Sequence, residues 1–214
     1  MPSKTYAVLI ADVMQSRARK DLRGLLGKRL AAISRRHLHR KLIQLPYSVT
    51  AGDEFQSVTR DLAAIPAIIL DLRAALRPLS LRIGVGFGGV SGRIQPPVNR
   101  LGGEAFQFAR NAIESIKAGN LFKFDVLTAV VSRHDQFNRT INLIYGLHDT
   151  LVHRITARQW ETIEEFFDRP TLERTARRLG VDDSTISRNL KRGYYWQLSE
   201  TVKVARALTQ NTFC

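Results

Sequence analysis

The chain has 214 residues, 44% of them hydrophobic, so it can bury a medium domain and a small one and is not intrinsically disordered. Its one cysteine, Cys214, excludes a disulfide framework, and Asp12 interrupts the apolar stretch near the start, so we predict a cytoplasmic protein with no membrane span. With 33 Lys and Arg against 19 Asp and Glu, the net charge of +14 attracts polyanions, and nucleic acid is the first candidate partner.

The first part of the chain, to about residue 135, alternates strand-like and helix-like segments. Residues 6–11 are apolar on both faces, which is typical of a strand in the middle of a sheet, and Asp12 is expected to end that strand. The order of the segments predicts an α+β domain with a mixed or antiparallel sheet. After that strand the predicted elements are a helix over 18–40, a hairpin over 47–58 that turns at Gly52-Asp53, a helix over 62–76, a strand over 79–89, a helix over 102–117, and a strand or helix over 126–131.

From about residue 136 the apolar periodicity is helical throughout. A helix over 138–154 connects the two parts of the chain. Thr156 and Gln159 form a capping box that begins the next helix, which ends before Arg169-Pro170. We therefore predict an α+β domain over 1–135, a connecting helix over 136–155 and an all-α domain over 156–214.

Residues 171–192, TLERTARRLGVDDSTISRNLKR, have the pattern of a helix-turn-helix. Ala176 is small where the two helices would cross, Gly180 lies at the turn, and Ile186 points back into the small core. Asp182 or Asp183 is the expected cap of the second helix. The pattern predicts a module that binds double-stranded DNA. The alternative is a three-helix module used for protein contacts alone.

The helix over 184–192 is the predicted recognition helix. Arg188 is long enough to reach guanine N7 and O6, and Ser184 and Thr185 stand at the end that meets base edges or phosphates. The other basic side chains of the module are expected to contact phosphates. The predicted DNA-binding residues are Arg174, Arg177, Arg178, Ser184, Thr185, Ser187, Arg188, Lys191 and Arg192.

Two aspartates in the first part of the chain are candidate ligands of a metal ion. Asp12 follows a buried strand and Asp53 lies in the hairpin turn, so a sheet that pairs these strands would bring the two carboxylates together. Mg²⁺ prefers oxygen ligands and neutralises the phosphates of a bound nucleoside triphosphate. The alternative is that Asp12 caps the next helix and that Asp53 is only a turn residue.

Four segments, in this order, resemble the SatD family of bacterial proteins: VLIADV at 8–13, TAGDEFQ at 50–56, LRIGVG at 81–86 and GEAFQFAR at 103–110. That family is similar in its N-terminal part to class III nucleotidyl cyclases and GGDEF diguanylate cyclases, and it carries a C-terminal helix-turn-helix. The resemblance implies a ferredoxin-like, nucleotidyl-cyclase-like palm domain followed by an all-α helix-turn-helix domain. Because cyclase-like domains commonly pair, it also implies a homodimer.

The same resemblance assigns roles to single residues. Asp12 and Asp53 match the two metal-binding aspartates of the cyclases, and Arg110 matches the helix arginine that steadies the transferring phosphates. Glu54 is either a third ligand or a partner of Arg82 or Arg110. The candidate nucleotide-binding residues are therefore Asp12, Asp53, Glu54 and Arg110, with Mg²⁺ held by the two aspartates.

The chain departs from the cyclase pattern at Ala51, where the first glycine of the hairpin signature would stand, and at Phe106, which replaces an asparagine. The function that the sequence favours is a transcriptional regulator that binds duplex DNA and whose cyclase-like domain senses a nucleotide or dimerises. The alternative is a Mg²⁺-dependent nucleotidyl cyclase or nucleotidyltransferase with a DNA-targeting tail.

Overall fold

The structure is a computed structural model that describes residues 4–16, 22–168 and 170–213. This described part of the chain forms a five-stranded mixed sheet and eight α-helices. The first residues of the helix predicted over 18–40, and Arg169, lie outside the described residues. The elements are β1 (Thr5–Val13), α1 (Leu22–His39), β2 (Ser48–Ala51), β3 (Glu54–Thr59), α2 (Ile65–Ala75), β4 (Leu81–Gly89), α3 (Glu104–Ala118), β5 (Thr128–Val131), α4 (Asp135–Val152), α5 (Ala157–Asp168), α6 (Leu172–Leu179), α7 (Asp183–Arg192) and α8 (Tyr195–Phe213).

The strands lie in the order β2-β3-β1-β4-β5, with β1 in the centre. All neighbours are antiparallel except β5, which runs parallel to β4, so the α+β prediction is confirmed and the sheet is mixed. The predicted hairpin is present, with a two-residue turn at Gly52-Asp53. The segment over 126–131 contains a strand rather than a helix. Asp12 does not end the first strand, because its backbone still pairs with both neighbours and the strand continues to Val13.

The sheet is covered on both faces, which explains why β1 is apolar on both sides. Leu9 and Ala11 point into the larger core, which α1, α2 and α4 complete. Val8 and Ile10 point the other way, into a smaller core against α3. Asp12 shares the side of the strand that carries Val8 and Ile10, because successive side chains alternate between faces. The carboxylate therefore lies on the α3 side of the sheet.

Helix α3 lies unusually close to β4 because three glycines occupy alternate positions of that strand. A Cβ on Gly84 would lie 2.6 Å from the carbonyl oxygen of Ala109, and one on Gly88 would lie 2.8 Å from the carboxylate of Glu104. A Cβ on Gly86 would overlap the backbone of α3 at Ala105 and Ala109. The missing side chains thus allow the helix backbone to rest almost directly on the strand.

The C-terminal helices begin and turn largely where the sequence predicts. The backbone N–H of Thr156 donates to the side chain of Gln159 at 2.8 Å, and the Gln159 N–H donates back to the Thr156 hydroxyl at 3.3 Å, which confirms the capping box. Gly180 ends α6 in the left-handed conformation, with φ of +66°. Asp182 is the N-cap residue of α7, one of the two predicted caps, although its side chain makes no capping hydrogen bond.

Helix α8 runs from Tyr195 to Phe213 and returns to the sheet. Ala205 is buried in the larger core, and the ring of Phe213 stacks on Phe87 at a centroid distance of 4.9 Å. Tyr195 is buried, whereas the adjacent Trp196 is 58% exposed. None of the helices in the described part of the chain combines the length and the apolarity that a bilayer span requires.

The Gly86→Ala substitution tests the close approach of α3. We expect it to lower the free energy of unfolding by about 2–3 kcal/mol, because the new methyl group forces the backbone of α3 away from β4. The matched control is Gly89→Ala on the same strand, where a Cβ meets no atom within 4 Å and the expected change is within about 0.5 kcal/mol. Urea unfolding followed by circular dichroism measures both. Equal effects of the two substitutions would contradict the argument.

Candidate functional site

Three charged residues form a row across the sheet on the face that α3 covers. Asp12 of β1 is paired with Glu54 of β3 on one side and with Arg82 of β4 on the other. We call this set the cross-strand row. The Asp12 and Glu54 side chains are only 10% and 11% exposed, so two carboxylates lie side by side near the surface yet largely out of water. Such a pair needs cations or another partner to offset the cost of burial.

Helix α3 supplies two of these cations. The guanidinium of Arg110 donates to both oxygens of Glu54, at 2.6 and 2.7 Å, in a bidentate pair. The Thr50 hydroxyl donates to the same carboxylate at 3.0 Å. Lys117, two helical turns further along, places its ammonium 3.2 Å from Asp12 Oδ2, and the Arg82 guanidinium lies 3.8 Å from that oxygen.

The two carboxylates of the row differ in their electrostatic balance. Burial raises the pKa of Asp12 and outweighs the lowering effect of Lys117 and Arg82, and the charge of Asp53 raises this pKa further. Burial also acts to raise the pKa of Glu54, but the hydrogen bonds and charge of Arg110 outweigh it, so the pKa of Glu54 is lowered. The folded protein therefore favours ionised Glu54 and disfavours ionised Asp12.

Asp12 keeps one oxygen unused. Its Oδ1 is buried and has no hydrogen-bond partner, whereas both oxygens of Glu54 are engaged. Asp53 is half-buried in the neighbouring turn. A search of the described residues finds no group of three or more His, Cys, Asp or Glu side chains placed to hold a metal ion. Asp12 and Asp53 are therefore the candidate pair of carboxylates for a metal ion, whereas Glu54 is the partner of Arg110.

A cleft of about 290 Å³ opens beside the hairpin turn and is lined by Arg23, Leu26, Gly27, Val49 and Gly52. We call it the hairpin cleft. A Cβ on Gly27 or Gly52 would meet nothing within 4 Å, so space is left against both backbones. Val49 is 49% exposed, so the lining of the cleft combines an exposed apolar side chain with a basic one, Arg23.

The second candidate site is the exposed face of α6 and α7. Ala176, Ile186 and Leu190 are buried in a core shared with α5 and α8. Eight of the nine predicted DNA-binding residues are exposed on α6 and α7, and the ninth, Thr185, is half-buried. Two of the arginines are engaged within the protein: Arg177 pairs with Glu173 at 2.8 Å, and Arg178 pairs with Glu165 of α5 at 3.0 Å. Arg188 donates to the Thr185 hydroxyl at 3.0 Å.

The structure brings together three of the four predicted nucleotide-binding residues, Asp12, Glu54 and Arg110, with Asp53 in the adjacent turn. Of the alternatives predicted for Glu54, the pairing with Arg110 is confirmed, whereas Arg82 lies beside Asp12. Sequence reasoning missed Lys117. The spacing of Arg110 and Lys117, seven residues apart in one helix, puts both on one face and was the available signal. Nothing in the sequence showed which strand that face would cover.

These features define an α+β protein in which a mixed sheet with a buried carboxylate row is joined to a bundle of short helices with a basic outer face. The chain belongs to the SatD family, whose family model matches residues 6–200. The resemblance seen in the sequence is thereby confirmed. No curated protein matches the chain at a significant level.

The two carboxylates of the row should respond in opposite ways to neutralisation. We expect Asp12→Asn to raise the free energy of unfolding by about 1 kcal/mol at pH 7–8, because it removes a buried charge with an unsatisfied oxygen. We expect Glu54→Gln to lower it by about 1 kcal/mol, since it breaks a bidentate pair whose arginine is half-exposed and screened by solvent.

The pH dependence follows from the directions of the two pKa shifts. The raised pKa of Asp12 means that the wild type loses stability as pH rises through that pKa, so the gain of Asp12→Asn vanishes below about pH 4. The lowered pKa of Glu54 means that its contribution is present above about pH 4.3 and is lost as pH falls through the lowered value. Urea unfolding at pH 8 and at about pH 3, below the ordinary pKa values of both carboxyl groups, checks both signs. A loss of stability in Asp12→Asn at both pH values would refute this account of the row.

Proposed function

We propose that this protein is a DNA-binding regulator that contacts duplex DNA through α7. One observation carries the proposal: Ile186 and Leu190 anchor α7 in the helical core, while Ser184, Ser187, Arg188, Lys191 and Arg192 remain on its exposed side. In a helix-turn-helix the second helix enters the major groove with the residues opposite its core face. The left-handed turn at Gly180 and the buried Ala176 support the same assignment.

The residues of this face divide into two groups. Arg188 and Ser184 are proposed to read base edges, because a long guanidinium reaches guanine and a hydroxyl accepts or donates. Arg174, Lys191 and Arg192 are proposed to contact phosphates and to contribute most of the salt-dependent affinity. Arg178, which pairs with Glu165 of α5, is proposed to hold α6 in place as well.

The sheet domain is proposed to be a nucleotidyl-cyclase-like palm of ferredoxin-like topology. The chain order β1-α1-β2-β3-α2-β4 and the antiparallel strand order β2-β3-β1-β4 support this. We propose that it senses a nucleotide and pairs as a two-fold dimer in the cytoplasm. Such a dimer would present two copies of α7 to half-sites one DNA turn, about 34 Å, apart.

The DNA-binding test compares two substitutions on duplexes selected from a random pool by the wild-type protein. We expect Arg188→Ala to cost about 1–3 kcal/mol on the selected sequence and to relax the base preference at one position. We expect Lys191→Ala to weaken binding to all sequences alike and to reduce the slope of log K against log salt by about 1. Fluorescence anisotropy at several salt concentrations measures both.

The matched control is Arg100→Ala, which removes an exposed arginine from the opposite, α3 side of the sheet. It should leave the salt slope and the base preference unchanged. If Arg188→Ala and Lys191→Ala bind duplex DNA as tightly as this control, α7 is not the DNA-contacting helix and the proposal fails.

A second candidate function is Mg²⁺-dependent nucleotidyl transfer or cyclisation. Two observations favour it: the unpartnered Asp12 Oδ1, and the hairpin cleft beside Asp53. A carboxylate oxygen without a partner fits a hard divalent ion, which binds through one or two carboxylates and the substrate phosphates. Bound there, Mg²⁺ would neutralise phosphate charge. Asp12 and Asp53 would hold it, and Arg110 would have to leave Glu54 to reach the phosphates.

The enzyme test incubates the protein with each of the four nucleoside triphosphates and Mg²⁺ and separates the products by chromatography. The second candidate predicts a cyclic or oligomeric nucleotide whose formation falls by at least about 100-fold in Asp12→Asn. The matched control, Asp125→Asn, neutralises an exposed loop aspartate and should retain activity. If no triphosphate yields a product but calorimetry shows that a nucleotide binds, the enzyme is excluded and the nucleotide-sensing domain is supported.

A further inference from the structure

A second cavity lies at the junction of the sheet and the C-terminal helices. It has a volume of about 100 Å³, and its lining comes from the end of α2, the start of β4, the loop before β5 and the α4–α5 connection. We call it the junction cavity. Trp160 of α5 contributes to one wall, and Arg73 and Arg77 contribute to another. The cavity shares no lining residue with the cross-strand row or the hairpin cleft.

Two buried hydrogen-bond donors on the lining residues have no partner. Arg73 is 5% exposed; its Nη1 donates to the Leu81 carbonyl at 3.1 Å and its Nη2 contacts Asp149 at 3.0 Å, but its Nε has no partner. Trp160 is 2% exposed, and its indole Nε1 has no partner either. Buried polar groups are nearly always hydrogen-bonded, so two orphaned donors on residues around one cavity are unusual.

A third donor group completes the set. The guanidinium of Arg77 lies 5.4 Å from the centre of the Trp160 ring, in a cation–π arrangement. Burial lowers the pKa of Arg77, and the charge of Glu164 partly offsets this. Ser80 and His153 add further polar groups to the lining. The nearby carboxylates are those of Asp149, which already pairs with Arg73, and Glu164, which acts on Arg77.

We infer that the junction cavity binds a small oxyanion, of the size of inorganic phosphate or a short carboxylate. The two unpartnered groups are N–H donors on side chains of the lining but are themselves shielded from the cavity space, so an occupant rich in acceptor oxygens satisfies them after a small shift of either side chain, and a negative charge suits Arg77. The volume equals that of about three water molecules, which is enough for one such ion and too small for a nucleotide. An ion there would contact the end of α2 and α5 together and so fasten the helical part to the sheet.

The test uses the two tryptophans of the chain. In Trp196→Phe, which removes an exposed indole, Trp160 is the only tryptophan left and reports on the cavity. Sodium phosphate and sodium acetate are titrated separately at constant ionic strength, with chloride as the balancing salt. We expect a saturable change in Trp160 emission with one of the two anions, and a rise in Tm of about 3–6 °C at tenfold saturation. A response to phosphate indicates a tetrahedral ligand, and a response to acetate indicates a planar carboxylate.

Two further variants separate the cavity from the basic surface of the protein. Arg77→Met in the Trp196→Phe background should raise the half-saturating concentration at least tenfold, whereas Arg100→Met, with the same loss of charge on the α3 side, should leave it unchanged. Trp160→Phe, which keeps an aromatic ring but loses the N–H, should lose the rise in Tm that Trp196→Phe retains. If Arg77→Met does not fold, the comparison of Trp160→Phe with Trp196→Phe tests the inference by itself. A response that is absent with both anions, or equal in Arg77→Met and Arg100→Met, would overturn the inference.

Discussion

The close approach of α3 to β4 is the constraint on which the charged row depends. Gly84, Gly86 and Gly88 leave no side chains between strand and helix, and the α3 backbone at Ala105 and Ala109 lies against the first two. A helix held at that distance carries Arg110 and Lys117 within hydrogen-bonding reach of carboxylates that are nearly buried in the sheet. At an ordinary separation, the same two cations would lie out of reach, and the nearly buried carboxylates would keep, among the described residues, only Arg82 beside Asp12 and the Thr50 hydroxyl on Glu54.

The row is not arranged for stability alone. Glu54 is fully engaged by Arg110 and Thr50, which is how a structural carboxylate is usually held. Asp12, its direct neighbour across the strands, retains a buried oxygen with no partner and a pKa raised by burial. A side chain that costs folding free energy in the free protein is a candidate for a role in binding, where a ligand can offset that cost. The difference between the two carboxylates therefore directs attention to Asp12.

Local signals in the sequence predicted the local structure well. The capping box at Thr156, the glycine that ends α6 and the hairpin turn at Gly52 each depend on a few adjacent residues, and each is found in the structure. Contacts between distant segments were harder to predict. The pairing of Lys117 with Asp12 joins residues far apart in the chain and depends on which sheet face α3 covers, which periodicity does not reveal. Likewise, no local signal shows that α8 buries Tyr195 and leaves the ring of the adjacent Trp196 exposed.

The path of α8 affects how the two parts of the molecule can move. Helices α5 to α7 follow α4, which packs on β5, and they lead into α8, which contacts both α2 and α4 and ends with Phe213 among the rings of Phe87 and Phe137. The helices that carry the basic outer face are thus anchored at both ends, through α4 before them and α8 after them. A swing about a single flexible linker would have to break this aromatic cluster first. Any signal from the sheet would instead reach α7 as a small twist of an assembly fixed at both ends.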